Sequence, residues 1–417
     1  MQMNRKTAAE LLLPVGEPAL LSTAIRYGAD AVYIGGASYS LRAKAPNFSD
    51  EELAQAIETA HAENVLVYIT VNIFAHEPDL EGAASYFRRL GALRPDGLLI
   101  ADPGLFRLAK RYCPEIPLHI STQANNVNSE TVRFWAEQGA RRVVLGRELS
   151  LEEIRQIRRA VPRECCELEV FVHGAMCMSY SGRCLLSNAM TGRDANRGDC
   201  AQPCRWRYAL MEETRPGEFY PIEETGRGTT ILSSGDLCMI DHLEALVDAG
   251  VDSLKVEGRM KNALYLATVG RAYRRALDMG QASPACHRDL SRCTHRPYTT
   301  GFFFGKPGQS LSEEVPYEAG AVYLGTVQMV DETGMILLEQ KNKFSTGETL
   351  TVLKPDGTDV SARILEIRTE DGTAMESAPH PKERLWVRLA CAEDDAAPEP
   401  GDVLCRDVDE TGINAGL

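Results

Sequence analysis

A short pattern returns three times along this chain. Gly28-Ala-Asp-Ala-Val-Tyr-Ile-Gly35 is echoed by Gly139-Ala-Arg-Arg-Val-Val-Leu-Gly146 and, with one extra residue, by Gly250-Val-Asp-Ser-Leu-Lys-Val-Glu-Gly258. The first glycine of each suits the left-handed residue that ends a helix. A β-branched run follows as a buried strand, and the second glycine opens the turn after it. Runs of the same kind at 11–14, 31–34, 66–70, 98–100, 118–120, 143–145, 168–172 and 253–256 alternate with helical patterns. Such alternation implies parallel strands joined by crossovers. Eight units fit an α/β, TIM-like (β/α)8 barrel; an open doubly wound sheet is the other architecture they allow. Ser49 with Glu52 and Ser150 with Glu153 have capping-box spacing before two of the helices. Val132, Trp135 and Ala136 fall on one face of a third.

The alternation breaks once inside the barrel. About eighty residues separate Val172 from Ser253, far more than an ordinary βα loop needs. Long loops at the C-terminal face of a barrel tend to carry function. The expected division is a barrel over 1–312 with an insertion at 173–240, followed by a small all-β barrel domain over 313–417. In the latter, short strands are cut by turn signals such as Asp331-Glu-Thr-Gly334 and Pro355-Asp-Gly357.

The insertion concentrates cysteine. Cys177, Cys184, Cys200 and Cys204 lie within it and Cys238 near its end, with six, fifteen, three and thirty-three residues between successive members. Structural zinc sites pair cysteines two to four residues apart, twice over; only Cys200 and Cys204 are so paired. Iron–sulfur clusters accept looser spacing, because each iron corner takes one thiolate. The favoured ligands are Cys177, Cys184, Cys200 and Cys238, with Cys204 as the alternate. Burial as small hydrophobes is the competing reading, and it is the one adopted for Cys113, Cys286, Cys293, Cys391 and Cys405, while the adjacent Cys165 and Cys166, which a strand would point to opposite faces, read as structural. No export signal or membrane-length apolar run is evident, so the twelve cysteines read as thiols or metal ligands in a reducing cytoplasm. A net charge of −14 argues against indiscriminate nucleic-acid binding but leaves room for a local basic groove. From Arg183 to Arg207 five Arg face two Asp, with Trp206 and Tyr208 beside them. A stacking aromatic in a basic stripe suits a splayed RNA base.

Glu169-Val-Phe-Val-His-Gly-Ala-Met-Cys177, Ser181-Gly-Arg-Cys184-Leu-Leu-Ser187, Arg197-Gly-Asp-Cys200-Ala-Gln-Pro-Cys204-Arg-Trp206 and Lys255-Val-Glu-Gly-Arg259-Met-Lys261 together resemble the collagenase-like peptidase family of unknown catalytic type, number thirty-two. The resemblance runs from about Glu10 to Pro316, and the C-terminal β-domain is similar to the family's usual appendage. Some members of that family were called peptidases. Others are 4Fe–4S proteins that hydroxylate RNA bases or the ubiquinone ring. One branch of similar length makes hydroxyuridine at the tRNA wobble position and depends on prephenate. The resemblance therefore implies an iron–sulfur protein hydroxylating tRNA, with cluster positions on Cys177, Cys184 and Cys200 and the fourth on Cys238.

Polar residues just after barrel strands face the active end. Here they are Glu17, Asn72, Asp102, Gln123, Arg147, Glu148, His173, Glu257, Arg259 and Lys261. His173, four residues before Cys177, is a candidate proton donor, with Glu257 as a second catalytic candidate. Arg147, Arg259 and Lys261 form a candidate clamp for the two carboxylates of prephenate, and Trp206 a candidate base-stacking residue. Competing functions are a peptidase, for which HExxH and GxSxG are absent and only a Cys177–His173 pair remains, hydroxylation of ribosomal RNA or a quinone ring, and a non-catalytic scaffold.

Overall fold

Short apolar runs, each bounded by glycine or a helix cap, form eight parallel strands in this computed structural model. It describes residues 9–41, 47–176, 186–193, 200–203, 210–211, 219–220, 223–225, 228–230, 235–305, 319–392 and 395–408. The barrel strands are β1 (Glu10–Pro14), β2 (Ala31–Gly35), β3 (Leu66–Val71), β4 (Gly97–Ile100), β5 (Leu118–Ile120), β6 (Arg142–Val144), β7 (Glu167–Ala175) and, after an intervening β8 (Asp236–Cys238), β9 (Ser253–Val256). Each pairs in parallel with its neighbour, and β9 pairs with both β1 and β7, closing the cylinder. The open doubly wound alternative is thereby excluded. All three repeat glycines hold the expected positive φ, 109° at Gly28, 91° at Gly139 and 86° at Gly250.

Five helices of the outer layer matter below: α1 (Asp50–Ala62), α2 (Ala83–Leu93), α3 (Pro103–Tyr112), α4 (Ser129–Glu137) and α5 (Leu151–Ala160). Both predicted capping boxes form, at Ser49–Glu52 on α1 and Ser150–Glu153 on α5. On α4, Val132 and Trp135 are buried as the apolar stripe requires, while Phe134 stays 51% exposed.

The segment that re-enters the barrel from the insertion is a strand. β8 runs antiparallel to the end of β7, with Asp236 opposite Ala175, Leu237 opposite Gly174 and Cys238 opposite His173. A short strand β10 (Tyr298–Thr299) lies parallel to β8. The sequence marks neither as a strand, because two or three residues are too few to show a period.

The chain divides into two compact units. The first comprises Met1–Pro18, Asp30–Met260 and Arg296–Pro316; the second comprises Ala19–Ala29, Lys261–His295 and Tyr317–Leu417. The second unit thus takes in two stretches that lie ahead of the expected boundary at 313. Its centre is a six-stranded antiparallel barrel of β11 (Ala321–Val330), β12 (Ile336–Glu339), β13 (Thr349–Leu353), β14 (Val360–Thr369), β15 (Arg384–Ala390) and β16 (Val403–Asp407), in the order β13-β16-β11-β12-β15-β14, with β14 closing on β13. Leu324, Ile336, Phe344, Val352, Ile364 and Leu404 are among the residues that fill it. Helices α6 (Ala263–Met279) and α7 (Pro284–Arg292) belong to this unit. On α6, Arg271 reaches Asp289 of α7, Asp359 and the carbonyl of Lys354. That buried Asp289 masks the helical period of α7 in the sequence. Among the described residues no helix is long and apolar enough to cross a membrane.

Candidate functional site at the barrel mouth

The polar side chains inside the first unit stack in layers from the barrel floor to its mouth. At the floor, Glu10 of β1 accepts from Arg142 Nη1 at 2.6 Å, Tyr68 OH at 2.7 Å and Ser253 Oγ at 2.8 Å. Arg142 also meets Glu167 at 2.9 Å and Glu169 at 3.2 Å. One layer up, Lys255 Nζ lies 2.7 Å from Glu169 Oε1, over the rings of Tyr33 and Phe171 at 4.5 and 5.4 Å. Burial works against the Glu10 carboxylate, but Arg142, Tyr68 and Ser253 together outweigh it and hold that group below its ordinary range. Burial lowers Lys255 despite Glu169. His119, edge-on to Tyr68, is pulled well below the usual histidine value by burial, with Arg142 and Lys255 adding to it, so its ring is neutral. Gly97 leaves room for this: an added Cβ there would stand 2.9 Å from the His119 ring.

The mouth begins where Tyr33 OH donates to the carbonyl of Val256 at 2.9 Å and comes within 3.5 Å of Glu257 Oε2. Glu257 N donates to the carbonyl of His173 at 2.9 Å, so these two predicted catalytic residues leave adjacent strands side by side. β7 carries a bulge here, since Phe171 faces Lys255 and His173 faces Val256. Bulges of this kind re-aim a side chain. The His173 ring is buried and sits 5.4 Å from that of Tyr298. On its other side His173 faces Cys238 of β8. Cys238 is half-buried, and its strand is anchored by Asp236, which takes Arg296 Nη2 at 2.8 Å and Nε at 3.0 Å.

Arg147, just beyond β6, is half-buried. It stacks 4.0 Å over the Phe171 ring and donates from Nη1 to the carbonyl of Ala175 at 2.7 Å. Its buried Nε has no hydrogen-bond partner among the described residues. Arg259 is buried, and donates to Ser40 Oγ at 2.8 Å, Thr70 Oγ1 at 3.1 Å and Asn47 Oδ1 at 2.8 Å. Gly35 admits it, because an added Cβ there would collide with its guanidinium at 2.2 Å. Lys261 belongs to the second unit, where Nζ donates to the carbonyl of Thr294 at 3.1 Å. Asn72 and Gln123 bond to each other at 3.1 Å, and Asp102 caps α3 through Leu105 N. Glu17 and Glu148 are half-buried.

Of the cysteine constellation, Cys177, Cys184 and Cys204 lie outside the described residues, as does Trp206. Cys200 is exposed and its Sγ accepts from Gln202 N at 3.3 Å. Among the described residues no three His, Cys, Asp or Glu side chains converge as metal ligands. The donor chemistry fits an iron–sulfur cluster: thiolates are the soft ligands such clusters take, and the two described members are reachable. Cys113, Cys166, Cys286, Cys293 and Cys405, by contrast, are buried. Burial pushes the thiols of Cys113, Cys166 and Cys405 up to about 12, which keeps them protonated and inert.

Residues 16–313 match the model of peptidase family U32, and residues 320–404 that of the peptidase family U32 C-terminal domain. The chain belongs to peptidase family U32. Among the proteins it resembles is tRNA hydroxylation protein P1 of Bacillus subtilis (strain 168), 39% identical over 390 residues that cover 91% of this chain and 92% of that protein. A second is tRNA hydroxylation protein P of Escherichia coli (strain K12), 37% identical over 427 residues and covering 91% and 93%. A 23S rRNA 5-hydroxycytidine synthase of the same organism is 39% identical over 269 residues, 64% of this chain and 39% of that longer protein. The U32 motif residues Glu169 and Lys255 turn out to be an internal ion pair of the barrel. A charged residue in the middle of an otherwise apolar strand is the signal that points to such a pair.

Proposed function

We propose that this U32 protein hydroxylates a pyrimidine base of RNA, with uridine at the wobble position of tRNA as the substrate, prephenate as a required co-substrate and a 4Fe–4S cluster as cofactor. The observation that carries the reading is the pairing of β8 with β7. It sets Cys238 against His173 at the mouth of the barrel, four residues ahead of Cys177. The kinship with tRNA and rRNA hydroxylation proteins supports the substrate class.

Cys177, Cys184, Cys200 and Cys238 would hold the cluster, which when bound supplies one-electron chemistry at the mouth. The chain's own residues do the rest. Replacing a ring hydrogen by hydroxyl takes an oxygen atom from an external oxygen-atom donor, which is reduced by two electrons as the ring carbon is oxidised, and the displaced ring proton needs a base to carry it. Glu257, next to Tyr33 OH, and His173 on the adjoining strand stand where the strands end. The vacant Nε of Arg147 is the donor for a carboxylate of prephenate, because a guanidinium presents parallel donors matched to a carboxylate. Arg259, engaged by three neutral oxygens, shapes the wall beside it. Trp206 stacks on the base.

The test combines composition and product. Protein purified without air is expected to carry about four irons and matching acid-labile sulfide per chain. Digested tRNA from a deletion strain is expected to lack hydroxyuridine until the gene is restored. Iron-free protein removes the cofactor assignment, and unchanged nucleosides in the deletion strain remove the substrate.

A further inference from the structure

Most basic side chains in the first unit are matched by acids. Arg133, Arg141, Arg155, Arg159 and Arg163 each have a carboxylate within 4 Å. Four side chains on α2 and α3 depart from that habit. Among the described residues, no carboxylate pairs with Arg88, Arg107, Lys110 or Arg111, all of them exposed. Arg88 and Arg111 both lie over the Tyr112 ring, at 4.6 and 5.3 Å, and such local positive charge on a chain of net charge −14 is complementary to an anionic partner.

The patch has a shape as well as a charge. A groove of about 490 Å³ runs between α3 and α4, and among the described residues Arg107, Lys110 and Arg111 are the charged ones that line it. Arg107 and Arg111 are one helical turn apart, hence neighbours on α3. Lys110 is anchored: its Nζ donates to the carbonyl of Gln138 at 2.5 Å and sits near the Phe106 ring. Phe106 meets the buried Trp135 edge-on, with ring centroids 5.3 Å apart. Phe134 continues the aromatic run at 5.2 Å from Trp135, yet half of its surface faces solvent. An apolar ring half exposed on a groove that Arg107 and Arg111 also line contributes little to folding alone. It suits a stacked base, with phosphates on the arginines.

We propose that the α3–α4 groove is an RNA-docking surface on the outer layer of the barrel, with Arg107 and Arg111 on phosphates and Phe134 under an unpaired base. The proposal rests on the RNA-hydroxylation reading and gives the substrate a second hold beyond the mouth. An acidic protein segment is the other occupant that the charge allows. The exposed aromatic favours RNA.

The experiment measures binding of an unmodified full-length tRNA transcript to the intact anaerobic protein between 50 and 300 mM salt. For R107E/R111E the expected result is roughly tenfold to hundredfold weaker binding near 100 mM, with the slope of log K against log salt shallower by about one to two. F134A is expected to weaken binding about fivefold or more with the slope unchanged. Iron content and melting temperature of each variant, equal to wild type, establish that the fold is intact. Wild-type binding together with unaltered affinity and slope in both variants overturns the proposal and leaves the acidic-protein occupant. No wild-type binding even at 50 mM instead sinks the RNA reading on which it rests.

Discussion

Glu169 and Lys255 face each other inside the barrel, but they are not equivalent. Glu169 is shared between Lys255 at 2.7 Å and Arg142 at 3.2 Å, whereas among the described residues Glu169 is the one carboxylate within 4 Å of Lys255. Removing the lysine therefore leaves the acid partnered; removing the acid strands the lysine. For Lys255→Met, which keeps the volume of the stem, the expected loss is about 1.5–3 kcal/mol, the range for a hydrogen bond to a charged group. For Glu169→Gln it is about 3–5 kcal/mol near neutral pH, the range for breaking a buried pair. A physical ceiling applies to the second number. The stranded lysine can shed its proton, and from an unfolded value of 10.5 that costs about 5 kcal/mol at pH 7 and about 2 kcal/mol at pH 9, at roughly 1.4 kcal/mol per unit. The sign follows from linkage. With Lys255 lowered in the folded chain, the unfolded chain binds the extra proton, so stability rises with pH up to the unfolded value. Glu169→Gln should consequently recover up to about 1.4 kcal/mol per pH unit between pH 7 and 9, more steeply than wild type. Denaturant-dependent hydrogen exchange of peptides spanning β7 and β9 reads this locally. A Lys255→Met loss equal to or larger than that of Glu169→Gln, or a Glu169→Gln deficit independent of pH, would show that the pairing does not govern the barrel interior.

Three other outcomes follow from the same geometry. Arg296→Met should loosen β8 through Asp236 and lower iron per chain to less than half of wild type while far-ultraviolet circular dichroism is preserved; full iron content would divorce β8 from the cluster. His119, neutral through burial and its cationic neighbours, should show no imidazole titration by NMR between pH 8 and 5.5. Since the unfolded histidine takes up a proton below about 6.5, His119 should cost up to about 1.4 kcal/mol per unit of acidification there, a cost that His119→Asn should remove. In the second unit, Arg271→Met leaves the buried Asp289, among the described residues, with Arg275 at 3.3 Å and Arg292 at 3.5 Å, and about 3–5 kcal/mol should be lost in urea unfolding, whereas a loss under 1 kcal/mol would show that those arginines substitute for it.

What the sequence makes legible is what repeats. All eight barrel strands stand where short apolar runs predict them, because a strand buried on both faces is apolar at most of its positions, and local caps such as Ser150 with Glu153 are written within four residues. What it hides depends on distance along the chain. β8 is three residues long and finds its partner on β7 some sixty residues away, so no window of sequence shows it. The same holds for the Asp236–Arg296 anchor and for Arg259, whose acceptors Ser40, Asn47 and Thr70 lie some two hundred residues off. A guanidinium after the last strand reads as an anion clamp until the fold supplies its neutral partners.

Those hidden contacts decide how the mouth is divided. Below it, three acids meet three bases, Glu10, Glu167 and Glu169 with Arg141, Arg142 and Lys255, leaving little for a ligand to meet. At the rim, the bulge of β7 turns His173 between β8 and β9, and Arg147 keeps a donor in reserve. A strand closed by ion pairs beneath and opened by a bulge above gives a rigid base to a chemically unfinished edge. Catalytic groups need that combination, since a site must be held fixed while its donors stay unsatisfied until substrate arrives.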